Sequence, residues 1–531
     1  MDCIAHFLDY ADTNAFSPIV LDYIRAADTI RPFYEHDVSM DGLRQAIAAR
    51  EANPVNRDVL VKVLRQQYQG LPAGDAVQRN LALLGREGTF AITTAHQPNI
   101  FTGPLYFLYK ILHAIRLAAF AKKSFPNKDF VPVYFMGSED ADLQELNHIY
   151  AGGETLTWDT RQKGAVGRMS PKGLNVLIRR LEGEFSGLPH GAEMAALIKN
   201  AYETHATIQE ATLYLVHGLF ASFGLIVLIP DHAELKRLFL PLLRRELTEG
   251  FSHAAVAPTI TALAQHYKVQ AAGRDINLFY LADGVRNRIE RDGAGFNVVD
   301  TNLHFTAQEM DAQLEAHPER FSPNVILRGV FQEFILPGIA FIGGGGELAY
   351  WLELKGVFKA AQVPYPVLVL RNSFLLVTKE QAAKAMALGI PAGEWFAPEA
   401  ELVNKLVRRQ SEHQLSLEKE IAEMKSLYGK MSAAAALIDA TLGPHAGALQ
   451  TRSLEGIQNL EKKMLRAERR KFDTQKGQIH TLKTALFPNG SLQERVENAL
   501  PYYAMYGEKF LRTLYSYSEA LTPRFCVLTL P

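Results

Sequence analysis

FAITTAHQPNIFTGPLYFLYKILHAIRLAAFAKK, residues 90–123, reads as strand, loop and helix in immediate succession. Phe90 to Thr94 is a short β-rich run without polar alternation, the pattern of a strand covered on both faces. Its turn-forming successor, AHQPNIFTGP, places Pro and Gly where a strand must end. Leu105, Leu108, Ile111, Leu112, Ile115 and Ala119 then recur at three and four residues, so a helix is expected with its start near Thr102-Gly103-Pro104. Two lysines, 122 and 123, suit the negative end of that helix.

The same rhythm returns along the chain. FVPVYFM (130–136) runs into GSEDADLQELNH, and LYLVHGLFASFG leads into LIVLIPD. Ile339 to Ile342 precedes GGGGE and the helical run ELAYWLELKGVF; Val367 to Leu370 precedes Arg371-Asn372-Ser373. Continuous apolar strands alternating with helices predict an α/β fold with a parallel sheet. Two stretches break the rhythm and are read as insertions, residues 151–204 and 251–322; the second contains FYLADG, an expected hairpin. The core is therefore expected over 1–150, 205–250 and 323–395.

Residues 396–486 are helical in pattern. Leu402, Leu406, Leu417, Ile421, Met424, Leu427 and Met431 mark one stripe; Ile457, Leu460, Met464, Ala467, Ile479, Leu482 and Leu486 mark another. With Gly443-Pro444 as the break, the reading is two antiparallel helices, each of roughly 30 residues or 45 Å, forming a coiled-coil arm. Such an arm buries little by itself and calls for a partner surface. Residues 487–531 are expected to pack back on the core.

Composition bounds the function. The chain has 531 residues, 48% hydrophobic and 21% charged, with a net charge of −1. Near neutrality argues against a general affinity for nucleic acid or anionic membrane. The start, MDCIAHFLDY, lacks the basic and apolar regions of a signal peptide, and the longest apolar run, 218–230, falls short of the ~20 residues that span a bilayer. Cys3 and Cys526 are the two cysteines; two reduced thiols in a cytoplasmic protein are expected, with one terminal bridge as the alternative.

In open α/β sheets ligands bind at the carboxyl ends of the strands, so four loops carry the candidates. In the first, His96, Asn99, Thr102 and Gly103 precede a helix N-terminus suited to phosphate or carboxylate; the plainer alternative is that Thr102 caps the helix. The second clusters Glu139, Asp140, Asp142 and Glu145, with Asn147 and His148 behind them. Carboxylates this close repel unless a cation or substrate amine lies among them. Glu139, Asp140, Asp142 and His148 are the catalytic candidates, against the alternative of a solvated acidic helix start. The third is the glycine run, after which Glu347, Tyr350 and Trp351 would face a ligand approached closely by backbone. The fourth is Arg371, Asn372 and Ser373; Arg371, or Arg328 in SPNVILRGVFQE with Gln332, suits a carboxylate or phosphate. No nucleophile elbow, zinc spacing or redox cysteine pair is evident.

TTAHQPNIFTGPLYFLYKI, PVYFMGSEDADLQELNHI, FSPNVILRGVFQEFILPGIAFIGGGGELAYWLELKGVF, PYPVLVLRNS and FPNGSLQER stand in one order over nearly the full chain. In these segments the sequence resembles the bacillithiol biosynthesis cysteine-adding enzyme family, BshC. The resemblance implies a Rossmann-like core with two connecting-peptide insertions, similar to class I aminoacyl-tRNA synthetases, and a coiled-coil arm that makes a homodimer. It implies a ligase forming an amide between L-cysteine and glucosaminyl-malate, with ATP or ADP bound and Mg²⁺ as a candidate ion, and no dedicated metal site. Gln493 and Arg495 are the implied nucleotide contacts. Two other readings stay open on the residues: a nucleotidyltransferase on the same core, and a non-catalytic nucleotide-binding scaffold.

Overall fold

The computed structural model describes residues 1–72 and 74–531. It divides into two compact units: residues 1–11, 15–375 and 491–528, and residues 12–14, 376–490 and 529–531.

The first unit is built on five strands: β1 (Thr89–His96), β2 (Asp129–Met136), β3 (Ile226–Leu228), β4 (Gly338–Gly343) and β5 (Val367–Leu370). All neighbours are parallel, in the order β5-β4-β1-β2-β3. Every residue of β1 and β4 is buried, which is why their sequences do not alternate. One face is covered by α1 (Tyr106–Ser124) and the helix Met40–Ala52: Leu43, Ile47, Ala114, Leu117 and Ala118 close on Phe90, Ile92, Ile342 and Val367. On the other face lies α2 (Val325–Ile335), whose Phe331 meets Phe135 edge-on. This is the expected Rossmann-like α/β core. The sheet order reverses between β1 and β4, and a crevice opens there at the carboxyl ends of the strands.

The loop between β1 and α1 departs from expectation. α1 begins at Tyr106, and Thr102 does not cap it. Instead Phe101, Thr102 and Gly103 are three successive residues at positive φ (50°, 71° and 64°). Two of them carry a Cβ, a strain of about 1–3 kcal/mol each, so the surroundings must hold the turn. Asn498 does so: its amide donates to the carbonyls of Phe101 (2.8 Å) and Gly103 (2.6 Å), while Phe101 N–H donates to Tyr202 Oη (2.7 Å). The expected helix 347–358 is likewise two helices, α3 (Gly345–Trp351) and Lys355–Ala361.

Within the stretch read as the first insertion are a hairpin arm, Glu154–Thr157, and the helices Asn175–Phe185 and Gly191–Thr204. The second stretch holds an antiparallel sheet in which Leu278–Ala282 and Val285–Asp292 pair across Asp283-Gly284, the hairpin expected at FYLADG.

The second unit is helical: α4 (Glu399–Gln410), α5 (Glu418–Ile438), α6 (Leu442–Arg469) and α7 (Asp473–Leu486). α5 and α6 are antiparallel, with Tyr428 Oη 2.8 Å from Ser453 Oγ and Ser432 Oγ donating to the Gly443 carbonyl. Each expected helix is thus two helices. The reversal also lies earlier than expected. Asp439 accepts from the N–H and hydroxyl of Thr441, and Gly443-Pro444 sits in the first turn of α6, where proline is tolerated. Among the described residues no helix is long and apolar enough to cross a membrane.

At the amino ends of the strands, Arg50 and Glu333 form a fully buried pair, Nη2 3.4 Å from Oε2, with Arg50 Nε donating to the Gly338 carbonyl. A Cβ on Gly338 would come within 2.1 Å of the Glu333 carboxylate. Burial pushes Glu333 up to about 7, against the opposing pull of Arg50. Arg50→Met, which strands this carboxylate, is expected to cost about 3–5 kcal/mol in urea unfolding. Because the folded value lies above the ordinary 4.5, the stabilisation due to Glu333 is full below pH 4.5 and lost as pH rises through about 7. Glu333→Gln should flatten that part of the stability–pH curve.

Candidate active site

A cavity of about 410 Å³ occupies the crevice where the strand order reverses. β1 delivers His96 and Gln97 to its wall; β2 delivers Ser138, Glu139, Asp140 and Glu145. The loop after β4 contributes the Gly344–Gly346 backbone and, from α3, Glu347 and Tyr350. Arg371 follows β5, Arg328 projects from α2, Arg286 reaches in from the inserted sheet and Arg495 from the C-terminal segment.

Four of the charged groups on this wall are consumed by three buried pairs. Lys110, from the middle of α1, lies 2.5 Å from Glu347 and donates to the Ala95 carbonyl at 3.0 Å; Glu347 in turn accepts the Gly344 N–H at 2.9 Å. Burial lowers the Lys110 ammonium's pKa, with Glu347 opposing. Arg371 donates to Glu494 (2.6 Å) and to the Asn372 carbonyl and Ser373 Oγ (3.1 Å each); burial works against its charge, and Glu494 outweighs it. Glu139 accepts from Lys236 (2.5 Å) and Ser322 (3.0 Å).

What remains is divided in sign. Asp140 and Glu145 face the cavity from the β2 side, bridged by Gln97, whose amide reaches Asp140 at 3.2 Å and Glu145 at 3.5 Å. Burial, then Asp140 and Asp142, raise the Glu145 carboxyl above its usual range. Among the described residues, no carboxylate lies within 4.0 Å of Arg286, Arg328 or Arg495. Arg328 donates to Tyr350 Oη, a phenol raised to about 12 mainly by burial. His96 is on the same wall. Burial, helped by Lys110, Arg371 and Arg328, holds it well below 6.5, so the ring is neutral near pH 7.

Four polar atoms on this wall are buried without a hydrogen-bond partner among the described residues: His96 Nε2, Ser138 Oγ, Arg286 Nε and Arg371 Nε. Buried polar groups in folded proteins are nearly always satisfied, so four orphans around one cavity mark a place where a polar ligand completes the structure.

The structure brings His96, Glu139, Asp140, Arg328, Glu347, Tyr350, Arg371 and Arg495 to this wall and leaves the other candidates off it. Asn99 is buried against Gly103 and the Glu145 carbonyl; Thr102 and Gly103 form the left-handed turn. Asp142 caps the short helix Leu143–Leu146, accepting from Glu145 N–H, Asn147 ends that helix, and His148 opens a strand beyond it. Gln332 donates to Glu333 inside the core. Trp351 is fully buried and stacks on Phe341 at 4.3 Å. Asn372 takes the Glu519 carbonyl and His113, Ser373 bonds Glu494, and Gln493 lies buried beside Tyr502. Gln97, Lys110, Ser138 and Arg286 join the wall without having been expected there. A lone lysine within the apolar run LYFLYKILHA was the signal for Lys110; Arg286 carried none, because a long insertion separates it from every loop of the core.

Two family models match the chain. Bacillithiol biosynthesis BshC, N-terminal Rossmann-like domain, matches residues 4–372, and bacillithiol biosynthesis BshC, C-terminal coiled-coil domain, matches residues 374–530. Among similar proteins, one from Flavobacterium johnsoniae is 36% identical over 531 residues, covering 100% of this chain and 99% of that protein. Another from Cytophaga hutchinsonii is 37% identical over 492 residues, 92% of each. A third, from Bacillus cereus, is 27% identical over 513 residues, 93% of this chain and 94% of that protein. All three carry the name "Putative cysteine ligase BshC".

The geometry separates Glu139 from its acidic neighbours. Lys236→Met should destabilise the fold by about 3–5 kcal/mol by leaving a buried carboxylate uncompensated. Adding Glu139→Gln should recover a large part of that loss in thermal or urea unfolding. A double variant as unstable as Lys236→Met alone would mean that Glu139 is not held chiefly by this lysine.

Proposed function

We propose that this chain, which belongs to the bacillithiol biosynthesis BshC family, joins L-cysteine to glucosaminyl-malate through an amide, with the cysteine carboxyl activated by a nucleotide. The observation that carries the reading is the division of charge on the cavity wall between two carboxylates, Asp140 and Glu145, and three guanidinium groups with no carboxylate partner among the described residues, Arg286, Arg328 and Arg495. The acceptor has the same division, an amine at one end and two carboxylates at the other.

Amide formation from a free carboxylate is uphill in water, so the carboxyl needs a leaving group. ATP supplies it as an acyl-adenylate, with release of pyrophosphate, or as an acyl-phosphate, with release of ADP; the amine attacks, and AMP or phosphate departs. The sugar amine is an ammonium group until a base takes its proton. Glu139 is committed to Lys236 and His148 lies off the wall, so the base role falls to Glu145, whose raised pKa suits it. Asp140 is fixed by the Ala141 N–H (2.7 Å) and by Gln97, and serves as the ammonium's counter-charge. Arg328 is free for a malyl carboxylate, whereas Arg371 is tied to Glu494. His96, neutral and unpartnered at Nε2, can donate to an anionic oxygen without a change of charge. Among the described residues no three metal-ligating side chains converge, so Mg²⁺ would enter on the nucleotide's phosphates. Arg495, exposed at the cavity's edge, is the nucleotide contact this reading retains.

The same reading takes the protein as a cytoplasmic homodimer. Cys526 is buried, and burial pushes its thiol up to about 12, so the cysteine that reacts is the substrate. Leu427, Met431, Leu449 and Leu460 of α5 and α6 are exposed although they lie on helices expected to seal a seam. A second copy would cover them. Light scattering should give a dimer, and Leu427→Glu with Met431→Glu should give a monomer.

The test is a mass-spectrometric assay with L-cysteine, glucosaminyl-malate, Mg²⁺ and ATP, and a parallel reaction without ATP. ATP-dependent product at the mass of bacillithiol is expected; none in either, from folded protein, would overturn the reading. Glu145→Gln should lower turnover by roughly 10²–10⁴. The base acts ionised, so the rate should fall on the acid side, at a pH above the ordinary glutamate value, and Asp140→Asn should abolish turnover with the fold intact.

A further inference from the structure

Arg286 enters the cavity from the inserted sheet, and its position is built by two close backbone approaches. Gly167 N–H donates to the Ser138 carbonyl (2.9 Å) and Val166 N–H to that of Asp140 (2.7 Å), which lays residues 164–167 on the loop after β2. A Cβ on Gly167 would meet the Ser138 oxygen at 2.4 Å. The hairpin tip then lies on the same segment. Gly164, at φ +88°, would meet Gly284 C and Val285 N at 3.0 Å each if it carried a Cβ. Only glycine fits both places. Arg286 is two residues beyond this contact, and its guanidinium rests 4.0 Å over the Phe279 ring.

The chemistry of the placement points to a ligand. Among the described residues Arg286 Nε is buried with no acceptor, and the Ser138 hydroxyl, also on the wall, is buried with no partner. Burial disfavours the charge, and Asp140 and Glu139 only partly offset this. Arg328, on the same wall, donates to a neutral phenol. Two guanidinium groups without carboxylates, in one cavity, lack acceptors that planar, anionic oxygens supply in matched pairs.

We propose that Arg286 and Arg328 form a receptor for a dicarboxylate, one cation supplied by the insertion and the other by the core, so that the malyl end of the acceptor is gripped between them. This rests on the ligase reading for the identity of the acceptor. The receptor itself rests on the two arginines and the orphaned Ser138. Arg286 is then a specificity residue: it selects an acceptor with two carboxylates, and cysteine, with one, does not need it.

The experiment measures steady-state kinetics of the full-length protein and of Arg286→Met, Arg286→Lys and Gly164→Ala, together with calorimetric binding of L-malate and of L-lactate. Arg286→Met should raise the KM for glucosaminyl-malate by roughly tenfold to a hundredfold, leave that for cysteine unchanged, and erase the preference for L-malate over L-lactate. Arg286→Lys should recover part of the loss, and Gly164→Ala, which moves the hairpin without touching the charge, should shift the acceptor KM in the same direction. A rise confined to the KM for cysteine or ATP, or L-malate binding unaltered in a folded Arg286→Met, would overturn the receptor. If the unaltered protein forms no product yet binds L-malate through Arg286, the receptor stands and the ligase reading falls. If product forms and the acceptor KM is unchanged in Arg286→Met, the ligase reading stands and the receptor falls.

Discussion

Lys110 rises from the middle of α1, is almost wholly buried, and has two partners: the Ala95 carbonyl near the end of β1 on one side and Glu347 at the start of α3 on the other. β1 and β4 are the strands between which the sheet order reverses, so this ammonium spans the crevice. A charge buried this deeply persists only while every partner stays in place. The pair therefore fixes the spacing of the loops after β1 and β4, the Gly344 turn through the second Glu347 contact, and the electrostatic surroundings that keep His96 neutral.

Much of the fold was legible because parallel strands write themselves as uninterrupted apolar runs; FVPVYFM and the stretch around Ile339 could be little else. The site was legible only to the level of its loops. Which side chain of a loop faces the crevice is decided by local geometry that composition does not carry. Thr102 has the chemistry of a helix cap, yet the chain takes three left-handed residues there because a distant asparagine holds them. Trp351 follows a glycine run as a ligand-facing aromatic might, but the periodicity of α3 turns it onto Phe341. Glu139 and Arg371 have the charge expected of them and are on the wall, but each is bound to a partner from another part of the chain. Sequence shows which charges exist; pairing decides which remain available.

That distinction bears on the chain's overall neutrality. A net charge of −1 is a sum over the whole chain, whereas the cavity sets two carboxylates against three guanidinium groups without carboxylate partners among the described residues within about 410 Å³. Chemistry that joins an amine to an activated acid needs both signs close together and water largely excluded, since the strength of each contact grows as the local dielectric falls. One of the three guanidinium groups, Arg286, comes from the antiparallel sheet that contains Leu278–Ala282 and Val285–Asp292 rather than from the five-stranded core.

The clamp of Asn498 on Phe101 and Gly103 joins positions 397 and 395 residues apart. On a ribosome the first strand and its loop emerge long before residue 498 does. At synthesis rates of about 5–20 residues per second, the gap lasts on the order of 20–80 s. Through that interval Tyr202 can take the Phe101 N–H, but the carbonyls of Phe101 and Gly103 wait for Asn498, so the crevice takes its final shape only once that residue has been made. A nascent chain that stops before Asn498 keeps the strands of its sheet but lacks the two bonds that pin the carbonyls of this turn.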